Sequence, residues 1–226
     1  TLNTPTMIEL KVLEETKKHS RPDGLTGLFN RRFFDEALEG EMNRAQRYDG
    51  IFSIIFFDLD HFKKLNDTYV HQAGDLTLKR VSEILILEKR TEDLACRYGR
   101  EELVLILPET QKINALVIAE RIRQKVEDLK LEFDGKSFNV TLSGGVASFP
   151  ADAKNTKSLL YVSDVALYQA KETGRNKISL HSTDKRHYIR VDFAKDVQVN
   201  KADQKSEQIT VHGKNFSSSG LLLESS

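Results

Sequence analysis

The chain has 226 residues, of which 39% are hydrophobic and 30% are charged, enough for one sizeable core and a smaller unit. Lys plus Arg number 34 and Asp plus Glu number 34, so a formal net charge of zero excludes any general attraction to nucleic acid or to an anionic membrane. The single cysteine, Cys96, excludes an internal disulfide and fits a reducing compartment. Because the chain shows neither a signal-peptide pattern nor an apolar run of about 18 residues, we expect a cytoplasmic protein.

The first predicted element is a helix over Met7–Lys18, which Pro22, Asp23 and Gly24 end. It is either a surface helix or the end of a linker helix, residues 1–21, that follows an upstream sensory or receiver domain. The chain begins with Thr1, and we therefore expect a fragment of a longer protein.

Two continuous apolar runs, Ile51–Phe57 and Leu103–Leu107, predict strands that are buried on both faces. Asp58 and Asp60 follow the first run directly, at a strand end where open sheets usually place their chemistry. Helical patterns occupy Arg31–Tyr48, Ala73–Leu87, Asn114–Leu129 and Ser158–Glu172, and a third strand, weakened by Gly144 and Gly145, is predicted over Phe138–Ala147. This alternation predicts an α/β or α+β domain.

The composition shifts near His181, and short alternating segments follow. Arg190–Val199 and Gln208–His212 predict strands of a separate β unit. Because about 40 residues rarely make a self-sufficient β domain, we expect this unit to be cut short or packed on its neighbour.

The segment Arg97–Leu103 (RYGREEL) places Glu101 and Glu102 at a tight turn that feeds a buried strand. If this strand neighbours the one that ends at Asp58, the carboxylates of Asp58 and Glu101 converge and a divalent cation such as Mg²⁺ relieves their repulsion. The alternative is a hairpin with solvated acids.

Five blocks of the sequence resemble motifs of the GGDEF (diguanylate cyclase) family, in the family's order, over roughly Asp23–Leu180. They are DGLTGLFNRR at Asp23–Arg32, DLDHFKKLNDTYVHQAGDLTL at Asp58–Leu78, RYGREEL at Arg97–Leu103, VTLSGGVA at Val140–Ala147 and DVALYQAKETGRN at Asp164–Asn176. The resemblance implies an α+β fold for residues 22–181, a palm like that of nucleotide cyclases, with a mainly antiparallel central sheet flanked by helices.

The resemblance also implies a reaction, the joining of two GTP molecules into cyclic di-GMP by a homodimer whose subunits each present one GTP. Mg²⁺ (or Mn²⁺) is then held by Asp58, the carbonyl of Leu59 and Glu101, and Glu102 is a further catalytic acid. Guanine is read by Asn66 and Asp75, and the phosphates are bound by Lys63, Lys171 and Arg175. For the last two residues the alternative is an ordinary basic helix end.

Three positions depart from the pattern of the family. Arg100 replaces the second glycine of the loop, Leu103 replaces a phenylalanine, and Val70 stands where glycine usually precedes His71. We expect Arg100 to block the region of the α-phosphate, although an arginine could instead stabilise phosphate charge. Val70 puts the local turn near Asn66 and Asp75 in question.

A second site is predicted at Arg90 and Asp93, an RxxD pair separated from Gly99 by five residues, with Arg121 in support. This arrangement resembles the family's inhibitory site for cyclic di-GMP, where arginine binds phosphate or a guanine edge and aspartate accepts guanine protons. The alternative is an exposed Arg/Asp pair at a helix end.

Residues 182–226 resemble the start of a PilZ domain, a β-barrel receptor for cyclic di-GMP. Its RxxxR motif matches Arg186 and Arg190, and its [D/N]xSxxG motif matches Asn215, Ser217 and Gly220. The match is too short for a complete barrel. The alternative is a basic linker followed by a serine-rich tail.

Three functions follow from these patterns. The first is a catalytically impaired GGDEF domain that acts as a receptor for cyclic di-GMP, and the second is an active cyclase inhibited by its product. The third is a purely structural dimerisation domain. We expect GTP or cyclic di-GMP as ligands, with neither nucleic acid nor a membrane as partner.

Overall fold

The computed structural model describes residues 22–180 and, in the tail, the backbone of residues 197–199, 209–217 and 220–224. The chain divides into two units, Thr1–Thr183 and Asp184–Ser226. The predicted linker helix at Met7–Lys18 lies outside the described residues. None of the described helices is long and apolar enough to cross a bilayer.

The larger unit is built on one six-stranded sheet. Its elements are β1 Phe29–Asn30, α1 Arg31–Arg47, β2 Phe52–Leu59, α2 Phe62–Glu88, β3 Leu94–Arg97, β4 Glu102–Pro108, α3 Lys112–Glu127, β5 Leu131–Phe133, β6 Lys136–Phe138, β7 Leu142–Phe149, α4 Thr156–Glu172 and β8 Ile178–Leu180. The strand order is β1-β3-β4-β2-β7-β8, and β5 pairs only with β6. The inner pairings are antiparallel and the two outer ones are parallel, so this α+β fold has a mixed sheet with an antiparallel centre.

Strand β2 lies in the middle of the sheet, and all eight of its residues are buried. Successive side chains point to opposite faces of a strand, so Phe52, Ile54 and Phe56 share one face. They pack in one core cluster with residues of α1 and α4. The strand extends beyond the predicted apolar run, which places Asp58 and Leu59 inside the sheet rather than after it.

The two glycines of β7 allow close packing instead of weakening the strand. A Cβ atom on Gly145 would lie 2.1 Å from the carbonyl oxygen of Ser163 and 2.4 Å from the nitrogen of Leu167, both backbone atoms of α4. The backbone of α4 therefore approaches the sheet where no side chain could fit. This contact sets the position of the helix that carries Lys171.

Helix α2 is longer than the predicted Ala73–Leu87 and is interrupted by a kink at Val70. In a straight helix Asn66 and Asp75 would be about 14 Å apart along the axis and on opposite faces. The kink instead folds the first segment onto the second, where Asn66 Oδ1 would lie 2.2 Å from a Cβ atom on Gly74. The sequence put this turn in question because of Val70. The turn forms and places Asn66 against Gly74, the residue that precedes Asp75.

Val70 has φ 65° and ψ 168°, a backbone region that is essentially reserved for glycine and costs about 1–3 kcal/mol for other residues. Its side chain is 55% exposed and contributes little packing. We therefore expect Val70→Gly to stabilise the protein by about 1 kcal/mol, after subtracting the extra entropy of glycine in the unfolded chain. Thermal unfolding should then rise by about 2–4 °C.

The matched control for this substitution is Val70→Ala. Alanine removes the branched side chain but keeps the Cβ atom, so most of the backbone strain remains. If both variants unfold at the same raised temperature, the strain does not arise from the positive φ.

In the smaller unit the described backbone forms a three-stranded antiparallel sheet in the order β11-β10-β9, with β9 Val197–Val199, β10 Ile209–Ser217 and β11 Gly220–Glu224. Strands were predicted at the first two positions, and β10 is longer than predicted. One small sheet does not support the expected partial barrel. Arg186 and Arg190 lie outside the described residues.

Candidate functional site

The acids predicted to converge lie at one end of two neighbouring strands. In the antiparallel pairing of β2 with β4, Asp58 is the register partner of Glu102. The backbone nitrogen of Leu59 donates to the carbonyl oxygen of Glu101 at 3.3 Å. The strand end and the loop are thus joined through their backbones, and three carboxylates lie in one region.

Asp58 is buried and forms an ion pair with Lys171 of α4, at 2.9 Å between Oδ2 and Nζ. Burial raises the pKa of Asp58 to about 6, and the negative charges of Glu101 and Glu102 add to this. The hydrogen bond and charge of Lys171 act in the opposite direction but do not cancel the effect of burial. Asp58 is therefore an under-compensated acid that favours a cation beside it.

Asp60 is buried two residues further on but has a different role. Its Oδ1 accepts from the hydroxyl of Ser143 at 2.8 Å, and its Oδ2 accepts from the Thr141 hydroxyl and from the backbone nitrogen of Asn176. Three donors saturate this carboxylate. The two acids of the motif therefore have different roles. Asp60 links the end of β2 to β7 and to the turn after α4, whereas Asp58 faces the site.

In the loop between β3 and β4, the carboxylate of Glu102 lies against the Cα atom of a glycine. A Cβ atom on Gly99 would lie 2.1 Å from Glu102 Oε2, so this carboxylate occupies the space that a side chain would need. Arg100 is exposed and is not among the described residues with positive φ. The chain accommodates arginine at this position without left-handed backbone, and any effect of Arg100 must come from its side chain.

Arg97 holds this loop in place, a role that the sequence did not reveal. Its Nε donates to the carbonyl of Gly99 at 3.2 Å and its Nη2 to that of Arg100 at 2.9 Å. Its Nη1 donates to both carboxylate oxygens of Asp23, which also accepts from Thr26. Asp23 lies in the first of the five motif blocks and Arg97 in the third. That was the only signal in the sequence for this contact.

Helix α4 and the turn after it carry two of the three predicted phosphate ligands, Lys171 and Arg175. Arg175 is exposed and has φ 60°, and Lys171 is partly buried beside Asp58. Lys171 lines a surface cavity of about 320 Å³, together with Glu102, Asp164, Val165, Leu167 and Tyr168. Asp164 and Tyr168 were not predicted as site residues, although both lie in the last block.

The candidates for guanine recognition have unequal surroundings. Asn66 is buried and donates from Nδ2 to the carbonyl of Phe62 at 3.1 Å, whereas Asp75 is exposed. Lys63, the third candidate for phosphate binding, is also exposed. The amide of Asn66 is thus held in one orientation by its own helix. Asp75 is free to accept protons from a ligand at the surface.

At the predicted second site, Asp93 is 1% exposed. Its Oδ2 accepts from the backbone nitrogen of Arg90 at 2.7 Å, and its Oδ1 has no hydrogen-bond partner among the described residues. Burial raises the pKa of this carboxyl. Arg121 pairs with the carboxylate of Glu88 and donates to its carbonyl at 3.1 Å, which holds the guanidinium against the end of α2.

The family model described as "Diguanylate cyclase, GGDEF domain" matches residues 20–177. The chain belongs to the GGDEF family. Over 128 residues it is 44% identical to Diguanylate cyclase A of Treponema denticola, a match that covers 57% of this chain and 34% of that protein. Over 158 residues it is 40% identical to the response regulator PleD of Caulobacter vibrioides, covering 69% of this chain and 35% of the relative. The chain thus spans about a third of the length of these two relatives.

The fold of this GGDEF domain also matches solved structures. The GGDEF domain of DgcB from Caulobacter crescentus, solved in complex with c-di-GMP, has a TM-score of 0.67 and 31% identity, covering 71% of this chain and 95% of that one. The likeness shows that this chain has the fold of the DgcB GGDEF domain, and the c-di-GMP in that structure is the ligand of DgcB.

The donor set of this GGDEF domain fits a divalent cation. Two carboxylates and a backbone carbonyl are ligands that Mg²⁺ takes, and the raised pKa of Asp58 reflects a buried negative charge that a cation would compensate. Among the described residues no three His, Cys, Asp or Glu side chains form a metal-holding group by themselves. The remaining ligands would come from substrate oxygens and water, as Mg²⁺ prefers.

Proposed function

We propose that this GGDEF domain is a receptor for cyclic di-GMP at Arg90, Asp93 and Arg121, and that it converts GTP slowly because of Arg100. The observation that carries the proposal is the buried, unpartnered Oδ1 atom of Asp93. An acceptor without a donor is costly inside a protein, typically about 1–3 kcal/mol, unless a ligand supplies the proton. Guanine offers two such protons along one edge.

The surroundings of Asp93 support a guanine–phosphate ligand. Arg90 is exposed, and its backbone already orients the carboxylate through the 2.7 Å hydrogen bond. Arg121 keeps N–H groups beyond those that contact Glu88 and is about half exposed. The charge of Arg90 acts on the Asp93 carboxyl, and an arginine near such an acceptor suits a ligand that carries both phosphate and guanine.

We expect Arg90→Ala to weaken the binding of cyclic di-GMP by roughly ten- to a hundredfold, because a charge-assisted hydrogen bond is worth about 1.5–3 kcal/mol. Calorimetry on a shortened chain that ends at Leu180 measures this without the tail. Arg80→Ala is the matched control, since Arg80 is an exposed arginine of α2, the helix that ends two residues before Arg90, and it pairs with Glu83. Unchanged affinity of the Arg90 variant, or no binding by the shortened chain, would contradict the site.

At the other site we propose that Asp58, the carbonyl of Leu59 and Glu101 hold Mg²⁺ or Mn²⁺ with GTP. The bound cation would neutralise triphosphate charge. Lys63, Lys171 and Arg175 would contact the phosphates, while Asn66 and Asp75 would read guanine. Glu102, beside the cavity, would act on the attacking hydroxyl.

An active, product-inhibited cyclase is the second candidate function. Two observations favour it, the presence of all three acids and the absence of left-handed backbone at Arg100. The rates of cyclic-di-GMP formation by the unmodified protein and by Arg100→Gly separate the two functions. The joining of two GTP molecules would need two copies of the domain, and the homodimer is part of the proposal.

For the tail we propose a PilZ-like segment that adds contacts to cyclic di-GMP through Arg186 and Arg190. The motif at Asn215, Ser217 and Gly220 supports it. Binding that appears only when residues 182–226 are present would assign the receptor function to this segment. The cytoplasmic location and an upstream sensory or receiver domain also stay predictions.

A further inference from the structure

Arg123 of α3 is a buried arginine that none of the roles above uses. It is 6% exposed. Its Nε donates to Glu120 at 2.7 Å, and its Nη1 donates both to Glu127 at 2.6 Å and to Asn176 Oδ1 at 2.7 Å. Two acids of its own helix compensate its charge, and the third contact reaches across to the turn after α4.

Asn176 closes this group of side chains. Its Nδ2 donates to Glu127 at 2.6 Å, so Arg123, Glu127 and Asn176 each contact the other two. Its backbone nitrogen donates to Asp60 at 3.0 Å. Asp60 stands two residues after Asp58, so this group ties α3 and the turn to the strand end of the nucleotide site.

The turn that Asn176 anchors has an uncommon backbone. Gly174, Arg175 and Asn176 have φ 114°, 60° and 47°, three consecutive positive values. Only the first of these residues is glycine, and left-handed backbone costs about 1–2 kcal/mol for an ordinary residue. Such a turn persists only when its surroundings hold it, and the contacts of Asn176 supply that restraint.

From this geometry we infer that Arg123 and Asn176 are positioning residues for the nucleotide site. They hold the left-handed turn that presents Arg175 to the triphosphate. The inference rests on the proposed nucleotide site. It assigns a function to a group of contacts on α3 that would otherwise only stabilise the fold.

The experiment is a double-mutant cycle on the binding of a Mg²⁺-loaded GTP analogue with a non-hydrolysable α–β bridge, measured by calorimetry. Asn176→Gly tolerates the positive φ and keeps the backbone contact to Asp60, but it removes the side chain. We expect it to weaken binding about 5- to 20-fold, and Arg175→Ala about 10- to 100-fold. Because Asn176 acts through Arg175, the double variant should bind within about twofold of Arg175→Ala alone.

Arg123→Met is the second variant. We expect it also to weaken binding of the analogue about 5- to 20-fold. Combined with Arg175→Ala, it should bind within about twofold of Arg175→Ala alone. Thermal unfolding is recorded for each protein to show that it is folded. If Arg123→Met does not fold, the result for Asn176→Gly alone tests the inference. Lys112→Met is the matched control, since it removes an ion pair of α3 with Asp152 that lies outside this group. Its affinity should equal that of the unmodified protein.

The outcomes are distinct. Wild-type affinity in Asn176→Gly, or losses that add in the double variant, would overturn the inference while leaving the nucleotide site intact. If the unmodified protein does not bind the analogue at all, the proposed nucleotide site fails and this inference fails with it. Non-additive losses together with an unaffected Lys112 variant would establish the positioning role.

Discussion

Replacing Arg100 with glycine should raise the rate of cyclic-di-GMP formation at saturating Mg²⁺–GTP by at least about tenfold, equivalent to about 1.4 kcal/mol of barrier. The loop is held by Arg97 through the carbonyls of Gly99 and Arg100, so its backbone stays in place when the side chain changes. What the substitution removes is a long cation where a nucleotide must approach closely. A chromatographic product assay measures the effect.

The structure makes this test sharper, because Arg100 does not have positive φ. Arg100→Ala should therefore restore activity as well as Arg100→Gly does, whereas Arg100→Lys should stay slow. If glycine restores activity and alanine does not, backbone freedom is the cause rather than obstruction. Activity that falls in the glycine and alanine variants would show that Arg100 stabilises phosphate charge, as in an active cyclase.

Replacing Asp58 with asparagine should abolish Mg²⁺-dependent GTP binding and, in the absence of metal, make the protein more stable at pH 7. The pKa of Asp58 rises from 3.8 to about 6 on folding. The folded state then binds the proton more tightly, so the stability linked to this proton is fully present below pH 3.8 and is lost as pH rises through about 6. The neutral amide avoids that loss.

The expected gain is about 1–2 kcal/mol at pH 7, because relaxation and water penetration around a buried carboxylate reduce the full value of such a shift. The difference from wild type should shrink between pH 7 and pH 5. Denaturant unfolding with EDTA at both pH values measures it. GTP affinity in Mg²⁺ and in EDTA completes the test, and equal affinity of the wild-type protein in both would contradict the metal site.

Asp60→Asn is the matched control, a second buried acid two residues away. Asp60 accepts three hydrogen bonds, and an amide can satisfy only part of this set. We therefore expect destabilisation by about 1–3 kcal/mol. Stabilisation of both variants would mean that burial of any charge at this strand end, rather than the environment of Asp58, explains the result.

The family, the central strands and the long helices could be predicted from the sequence because their signals are local. The apolar run of β2 and the periodic patterns of α1, α3 and α4 need no knowledge of their neighbours. Strands of two to four residues, such as β1, β3 and β8, were not predicted, because so short a segment shows no alternation. Their pairing in the sheet, not their composition, makes them strands.

Much of the candidate site also followed from residue type and order along the chain. Asp58 and Glu101 were predicted to converge because each lies at an end of a buried strand, whereas Arg90 and Asp93 followed from the resemblance to the family's inhibitory site. That Asp58 and Glu102 are register partners depended on the pairing of β2 with β4. From the sequence, convergence of the acids could be predicted only on the condition that these two strands are neighbours.

The remaining features were decided by tertiary structure alone, because each depends on atoms that are far apart in sequence. Lys171 meets Asp58, Asp60 is saturated by Thr141, Ser143 and Asn176, and Arg97 reaches Asp23 only once the sheet has formed. Backbone dihedral angles cannot be read from the amino-acid sequence either. Whether Arg100 replaces a glycine without strain, and whether Val70 does so with strain, is set by how the surrounding chain packs.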